Sequence, residues 1–139
     1  MGSAEVMRLL LDTHVWIWSF QDQKKLTEKV KRAFFDTKNE LWLSPISVWE
    51  FLLLIERKRL KVHAKLSNAD GISQAIDSAG LKDAPVTRHV SFMARELVME
   101  HQDPADRFLA ATAAVYDLTL VTADDKLLRG KGFRTLANA

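Results

Sequence analysis

The chain has 139 residues, 47% of them hydrophobic and 27% charged, which suits one globular domain with a real core and leaves little room for two. It contains no cysteine, which excludes disulfides and thiolate-bound metals and agrees with a cytoplasmic protein. A net charge of +2 and a pI near 9.0 permit a nucleic-acid partner without demanding one.

No apolar run reaches the length of a membrane span, so no membrane association is expected. No secretory leader is expected either, because the first apolar stretch stops at Asp12. Met1 to Val6 reads as an expression-tag remnant, which leaves residues 7–139 as one domain.

Arg8-Leu9-Leu10-Leu11 reads as a short buried strand with Asp12-Thr13 at its carboxyl end. His14 to Phe20 is predicted as a short helix facing inward. Thr27 can cap a helix running to about Asp36, with Val30, Ala33 and Phe34 on one face. Leu41-Trp42-Leu43 gives a second strand. Ser44-Pro45 then combines a cap with a first-turn proline, starting a helix that runs from Ile46 to about Arg59. That helix is apolar nearly all round, with Glu50 in its middle. Residues 66–71 read as loop, and Ile72 to Ala79 as a helix stopped by Gly80. Pro85-Val86-Thr87 is predicted as a third strand, followed by an amphipathic helix from Arg88 to about Met99. Asp103 caps and Pro104 opens an alanine-rich helix to about Tyr116 that carries no charge after Arg107. Thr119-Leu120-Val121-Thr122 is a fourth strand ending in Ala123-Asp124-Asp125. One helical turn at Lys126–Arg129 and an edge strand at Phe133–Leu136 complete the chain. The alternation predicts an α/β/α sandwich with a mainly parallel sheet of about five short strands.

In a parallel sheet, sites lie beyond the carboxyl ends of the strands. Asp12 and Asp124 stand at such ends, Asp106 opens a helix, and Glu50 lies nearly two turns into one. A central first strand with right-handed crossovers would set Asp12 beside Asp124. Each Asp can also be read as a plain helix cap, and Asp103 with Asp106 as a capping box. Glu50 is too far from its helix start to cap. A carboxylate on that apolar surface is either functional or held in an ion pair, with Arg107 as the candidate cation.

If these acids converge, their mutual repulsion raises some pKa values unless a cation is bound. Oxygen-only ligands suit Mg2+, with Mn2+ as a substitute. Such a site can activate water and neutralise a phosphodiester. No glycine-rich phosphate cradle is present, which argues against transfer from ATP. His14, His63, His89 and His101 show no metal-binding spacing. Trp16, Trp18, Trp42 and Trp49 are expected in the core. The basic clusters Lys24-Lys25, Arg57-Lys58-Arg59-Lys61 and Arg129-Lys131-Arg134 read singly as solvated faces, and together could steer RNA.

Four segments in order carry a family resemblance. They are Leu9-Leu10-Leu11-Asp12-Thr13-His14, Ser44-Pro45-Ile46-Ser47-Val48-Trp49-Glu50, His101-Gln102-Asp103-Pro104-Ala105-Asp106-Arg107, and Leu120-Val121-Thr122-Ala123-Asp124. They resemble the PIN-domain family, and within it the VapC toxins of bacterial toxin–antitoxin pairs. The resemblance implies a Mg2+-dependent endoribonuclease in which Asp12, Glu50, Asp106 and Asp124 are the catalytic, metal-holding quartet. It implies Thr13 and Thr122 as supporting residues and Asp103 as an extra acid, with Asp125 a further candidate. Ala123 departs from the commoner pattern, in which an arginine precedes the fourth aspartate. The resemblance further implies an RNA substrate, a homodimer and an antitoxin whose tail blocks the groove. Two alternatives stand beside it: a catalytically idle PIN-like domain that binds RNA or protein, and a plain α/β fold whose acids are caps.

Overall fold

Leu9, Leu10 and Leu11 are almost wholly buried in β1 (Arg8–Leu11), and the run ends where Asp12 caps α1 (Thr13–Gln21). Their alternation divides the molecule into layers. Leu9 and Leu11 face one hydrophobic cluster and Leu10 faces the other. The computed structural model describes residues 6–100 and 103–139.

After a 3₁₀ turn at Gln23–Lys25 come α2 (Glu28–Phe35) and β2 (Glu40–Leu43). Next are α3 (Pro45–Glu56), α4 (Ala69–Ser78) and β3 (Leu81–Asp83). The second half holds α5 (Arg88–Glu96), α6 (Pro104–Tyr116), β4 (Thr119–Thr122), α7 (Asp125–Leu128) and β5 (Arg134–Ala137).

The five strands form one sheet in the order β3-β2-β1-β4-β5, with every neighbouring pair parallel. Side chains of α1 to α4 pack on one face, and those of α5, α6 and α7 on the other. This is the expected α/β/α sandwich, with β1 central. The alanines of α6 let it lie close on the sheet: Leu109, Ala110, Ala111 and Ala113 are at most 1% exposed. Asp117 ends that helix in the left-handed conformation at φ 56°, as Gly80 follows α4 at φ 73°.

Several boundaries differ from the sequence reading. The third strand is Leu81–Asp83 rather than Pro85–Thr87; a proline lacks the N–H that a sheet ladder uses. Part of the 66–71 loop is helical, because Asn68 caps α4 through the Gly71 N–H at 2.9 Å. Helix α3 stops at Glu56, short of Arg59, and α5 at Glu96, short of Met99. Trp49 is 57% exposed and Leu52 44%, so α3 buries one face rather than its whole circumference.

Leu10 is fully buried on the central strand, so Leu10→Ala is expected to cost about 2–5 kcal/mol. Val98→Ala, at a position 74% exposed, is expected to stay within about 0.5 kcal/mol. Urea denaturation midpoints at unchanged slope check both.

Candidate active site

The neighbouring strands β1 and β4 run in parallel register, with Leu11 opposite Val121. The chain leaves both at the same edge. The Asp12 N–H still donates to the Val121 carbonyl at 3.0 Å. One carboxylate oxygen of Asp12 accepts from the Thr13 N–H at 2.7 Å, and the other accepts from the Thr122 hydroxyl at 2.7 Å. That buried hydroxyl also accepts the Asp124 N–H at 3.0 Å. Thr122 therefore ties Asp12 to the turn that carries Asp124. Asp124 caps α7, accepting from Lys126 N–H at 2.8 Å and, more weakly, Leu127 N–H at 3.4 Å.

Glu50 arrives from the other side, on the second turn of α3, and is half-buried. Its carboxylate accepts a short hydrogen bond from the Thr13 hydroxyl, and Thr13 Oγ1 also lies 3.0 Å from Ser47 Oγ. A hydroxyl has one proton to give, so with Thr13 donating to Glu50 the Ser47 hydroxyl donates to Thr13. The expected ion pair between Glu50 and Arg107 is not formed. Arg107 instead donates from Nε to the Ala94 carbonyl at 2.8 Å and from Nη2 to the Leu97 carbonyl at 2.9 Å. It satisfies carbonyls at the end of α5, where a cation also meets the negative end of the helix dipole.

Asp12, Glu50, Asp103, Asp106 and Asp124 line one cavity of about 410 Å³, together with His14, Val15, Trp18 and Ala123. Thr13 and Thr122 lie beneath it as buried supports. Asp125 is not among the lining residues. Asp12, Asp103 and Asp124 are at the same time the N-caps of α1, α6 and α7. Asp103 accepts from the Ala105 N–H at 2.9 Å and the Asp106 N–H at 3.3 Å. The capping reading and the site reading thus hold for the same side chains. His101 and Gln102 lie outside the described residues.

Burial pushes the Asp12 carboxyl above its ordinary value, the hydrogen bonds from Thr122 and Thr13 oppose the rise, and the charge of Asp124 adds to it. Burial likewise raises Glu50, against the Thr13 hydroxyl, with the charges of Asp12 and Asp103 adding to the rise. Crowded oxygen-only donors with raised proton affinity are the chemistry a hard divalent cation relieves. As the side chains stand, no three His, Asp or Glu among the described residues are grouped so as to hold a metal ion. The donor set fits such an ion in type, and binding would draw the carboxylates inward.

Sequence reasoning passed over three residues here. Ser47 completes the hydroxyl relay beneath Glu50, and its signal was a small polar residue one turn before a glutamate on an apolar helix. His14 and Trp18 reach the cavity at i, i+4 spacing on the helix that Asp12 caps.

The family profile described as PIN domain matches residues 9–132, and the chain belongs to that family. Ribonuclease VapC22 of Mycobacterium tuberculosis is 30% identical over 121 residues, covering 86% of this chain and 88% of that protein. Among solved structures, VapBC2 from Rickettsia felis bound to a promoter DNA fragment matches with a TM-score of 0.69 at 15% identity, covering 94% of this chain and 98% of that one. DNA-bound VapBC from Salmonella typhimurium matches with a TM-score of 0.66 at 16% identity, covering 96% of this chain and all of the other, 100%. At these identities the structures attest the fold.

A carboxyl whose folded-state pKa is raised binds its proton more tightly in the folded protein than in the unfolded chain. Stability is therefore lost as pH rises from the ordinary value of 4.5 for Glu50 through the raised one. In EDTA at neutral pH, Glu50→Gln is expected to melt higher than wild type, and the gap should close as pH falls toward that ordinary value. A lower melting temperature for Glu50→Gln throughout would make the carboxylate a structural prop instead.

Proposed function

We propose that this chain is a metal-dependent endoribonuclease acting as the toxin of a toxin–antitoxin pair in the cytoplasm. The observation that carries the reading is the convergence of five carboxylates on one cavity, two of them with proton affinity raised by burial and by each other's charge. Membership of the PIN-domain family and the likeness to a protein named as a ribonuclease support it.

In this reading Asp12, Glu50, Asp106 and Asp124 hold Mg2+, with Mn2+ able to replace it. The bound cation supplies charge neutralisation at the phosphodiester and a lowered pKa for water. Thr122 and Thr13 fix the orientations of Asp12 and Glu50 and favour their charged forms. The carboxylates hold the attacking water in line and take its proton. Asp103 adds negative charge at the rim and fixes the start of α6, so that Asp106 is presented from a rigid first turn.

Two apolar surfaces support the protein partners. A cavity of about 650 Å³ separate from the acids is lined by Trp16, Phe20, Phe34, Phe35, Leu66 and Ala75 among others, with Phe20 42% and Phe35 53% exposed at its edge. It suits an apolar segment of an antitoxin, the kind of partner named for the VapBC neighbours. Trp49 and Leu52, three apart on α3 and both exposed, suit a second copy of the chain.

RNA cleavage in Mg2+ by wild type and by Asp106→Asn, purified in parallel, tests the activity. The variant is expected to lose at least about a hundredfold, equivalent to ~2.7 kcal/mol of barrier. Equal cleavage by both would assign the activity to a contaminant, and cleavage by neither across structured and unstructured RNAs would favour the idle binding domain. Trp49→Lys is expected to convert a dimer to a monomer by light scattering after gel filtration. An unchanged mass would remove Trp49 from the interface.

A further inference from the structure

A cavity lined by five carboxylates repels the backbone of RNA, so a strand entering it needs something at the rim to hold it. The rim beside Asp12 is built by α1. His14 and Trp18 are one turn apart on that helix and both line the acid cavity. His14 is exposed, while Trp18 is partly buried, with one side packed on the core cluster. Their ring centres are 6.0 Å apart with the planes at 47°. Lys25 Nζ stands 5.6 Å from the centre of the Trp18 ring.

From the acids outward, the order along this surface is therefore carboxylate, imidazole, indole, ammonium. The other tryptophan of α1 shows what a plain core role looks like. Trp16 is 5% exposed, packs edge-on to Phe20 at 5.6 Å, and does not line the acid cavity. The ledge is also held in place. The backbone of Lys25 is gripped by Asn138, whose Nδ2 donates to the Lys25 carbonyl at 2.9 Å and whose Oδ1 accepts from the Thr27 N–H at 2.8 Å.

We propose that Trp18, flanked by His14 and Lys25, is a stacking subsite for one unpaired base beside the phosphodiester that is cut, which makes single-stranded or looped RNA the substrate class. This rests on the ribonuclease reading. A base in a duplex has both faces covered by its neighbours and cannot reach an indole, whereas an unpaired base stacks on any aromatic face with little regard to sequence. Lys25 supplies the positive charge that draws the adjoining phosphate, and His14 spans the gap between the ring and the acids.

The test is binding, measured by fluorescence anisotropy in EDTA at one fixed salt concentration. The probes are an end-labelled single-stranded RNA of about ten nucleotides and a blunt duplex of the same sequence. Trp18→Ala is expected to weaken single-strand binding about tenfold, Trp18→Phe by no more than about threefold, and His14→Ala and Lys25→Ala by about threefold each. Phe35→Ala, in the apolar cavity, should bind as wild type does. The duplex should bind more weakly and be indifferent to Trp18.

Wild-type affinity in Trp18→Ala, or an equal loss for single strand and duplex, overturns the proposal. If Trp18→Ala fails to fold by circular dichroism, the two exposed variants decide, and unchanged binding in both overturns it. Cleavage by wild type in Mg2+ is scored separately. An inert protein that still binds through Trp18 removes the nuclease and keeps the subsite, while an active one indifferent to Trp18 removes the subsite alone.

Discussion

The Thr122 hydroxyl sits where β1 and β4 end together, donating to Asp12 and accepting from the Asp124 backbone. It is fully buried, so its two bonds compete with no water and the geometry of both turns follows from it. The arrangement needs β1 and β4 to be parallel neighbours ending in register, which the crossover through α1 to α6 provides. Thr13 plays the matching part toward α3, joining the first residue of α1 to Glu50. Two threonines thus convert a strand order into a carboxylate constellation.

Asp12, Asp103 and Asp124 each hold the start of a helix while facing a shared cavity. The two roles help each other. Backbone N–H groups and the positive ends of α1 and α6 favour the charged carboxylate, and offset part of the burial and repulsion that push Asp12 and Glu50 the other way. For Asp12, burial still prevails. The acids form a strained anionic cluster on a rigid frame, which is the condition under which a divalent cation gains most from binding.

Much of this was legible in the residues. Apolar runs ending in Asp12 and before Asp124 marked strand ends, and Ser44-Pro45 and Asp103-Pro104 marked helix starts that the structure keeps. What failed did so for physical reasons. Leu81-Lys82-Asp83 is a three-residue edge strand with two exposed charges, too short for any periodicity, while Pro85-Val86-Thr87 had the composition of a strand without the N–H to pair it. The apolar circumference of α3 announced burial, but a hydrophobic pattern is the same for a face turned to the core and one turned to a partner. Trp49 and Leu52 belong to the second kind. Glu50 was singled out correctly as a carboxylate needing a partner, yet the partner was a threonine hydroxyl, because Arg107 was already engaged with the carbonyls of α5. Spacing reveals that a group must be satisfied, and only the fold reveals by what.

Asn138 has a bearing on how the molecule is assembled in time. Its N–H donates to the Thr122 carbonyl and its side chain grips the backbone on both sides of Leu26, 111 and 113 residues away in sequence. Contacts that distant close late, since the intervening chain must first be ordered. A chain emerging from the ribosome has every carboxylate of the cavity in hand once α7 has been made, but its Lys25 turn stays unanchored until β5 docks. The acidic centre and the ledge beside it therefore mature in sequence, the centre first, and the order is written into the direction of synthesis.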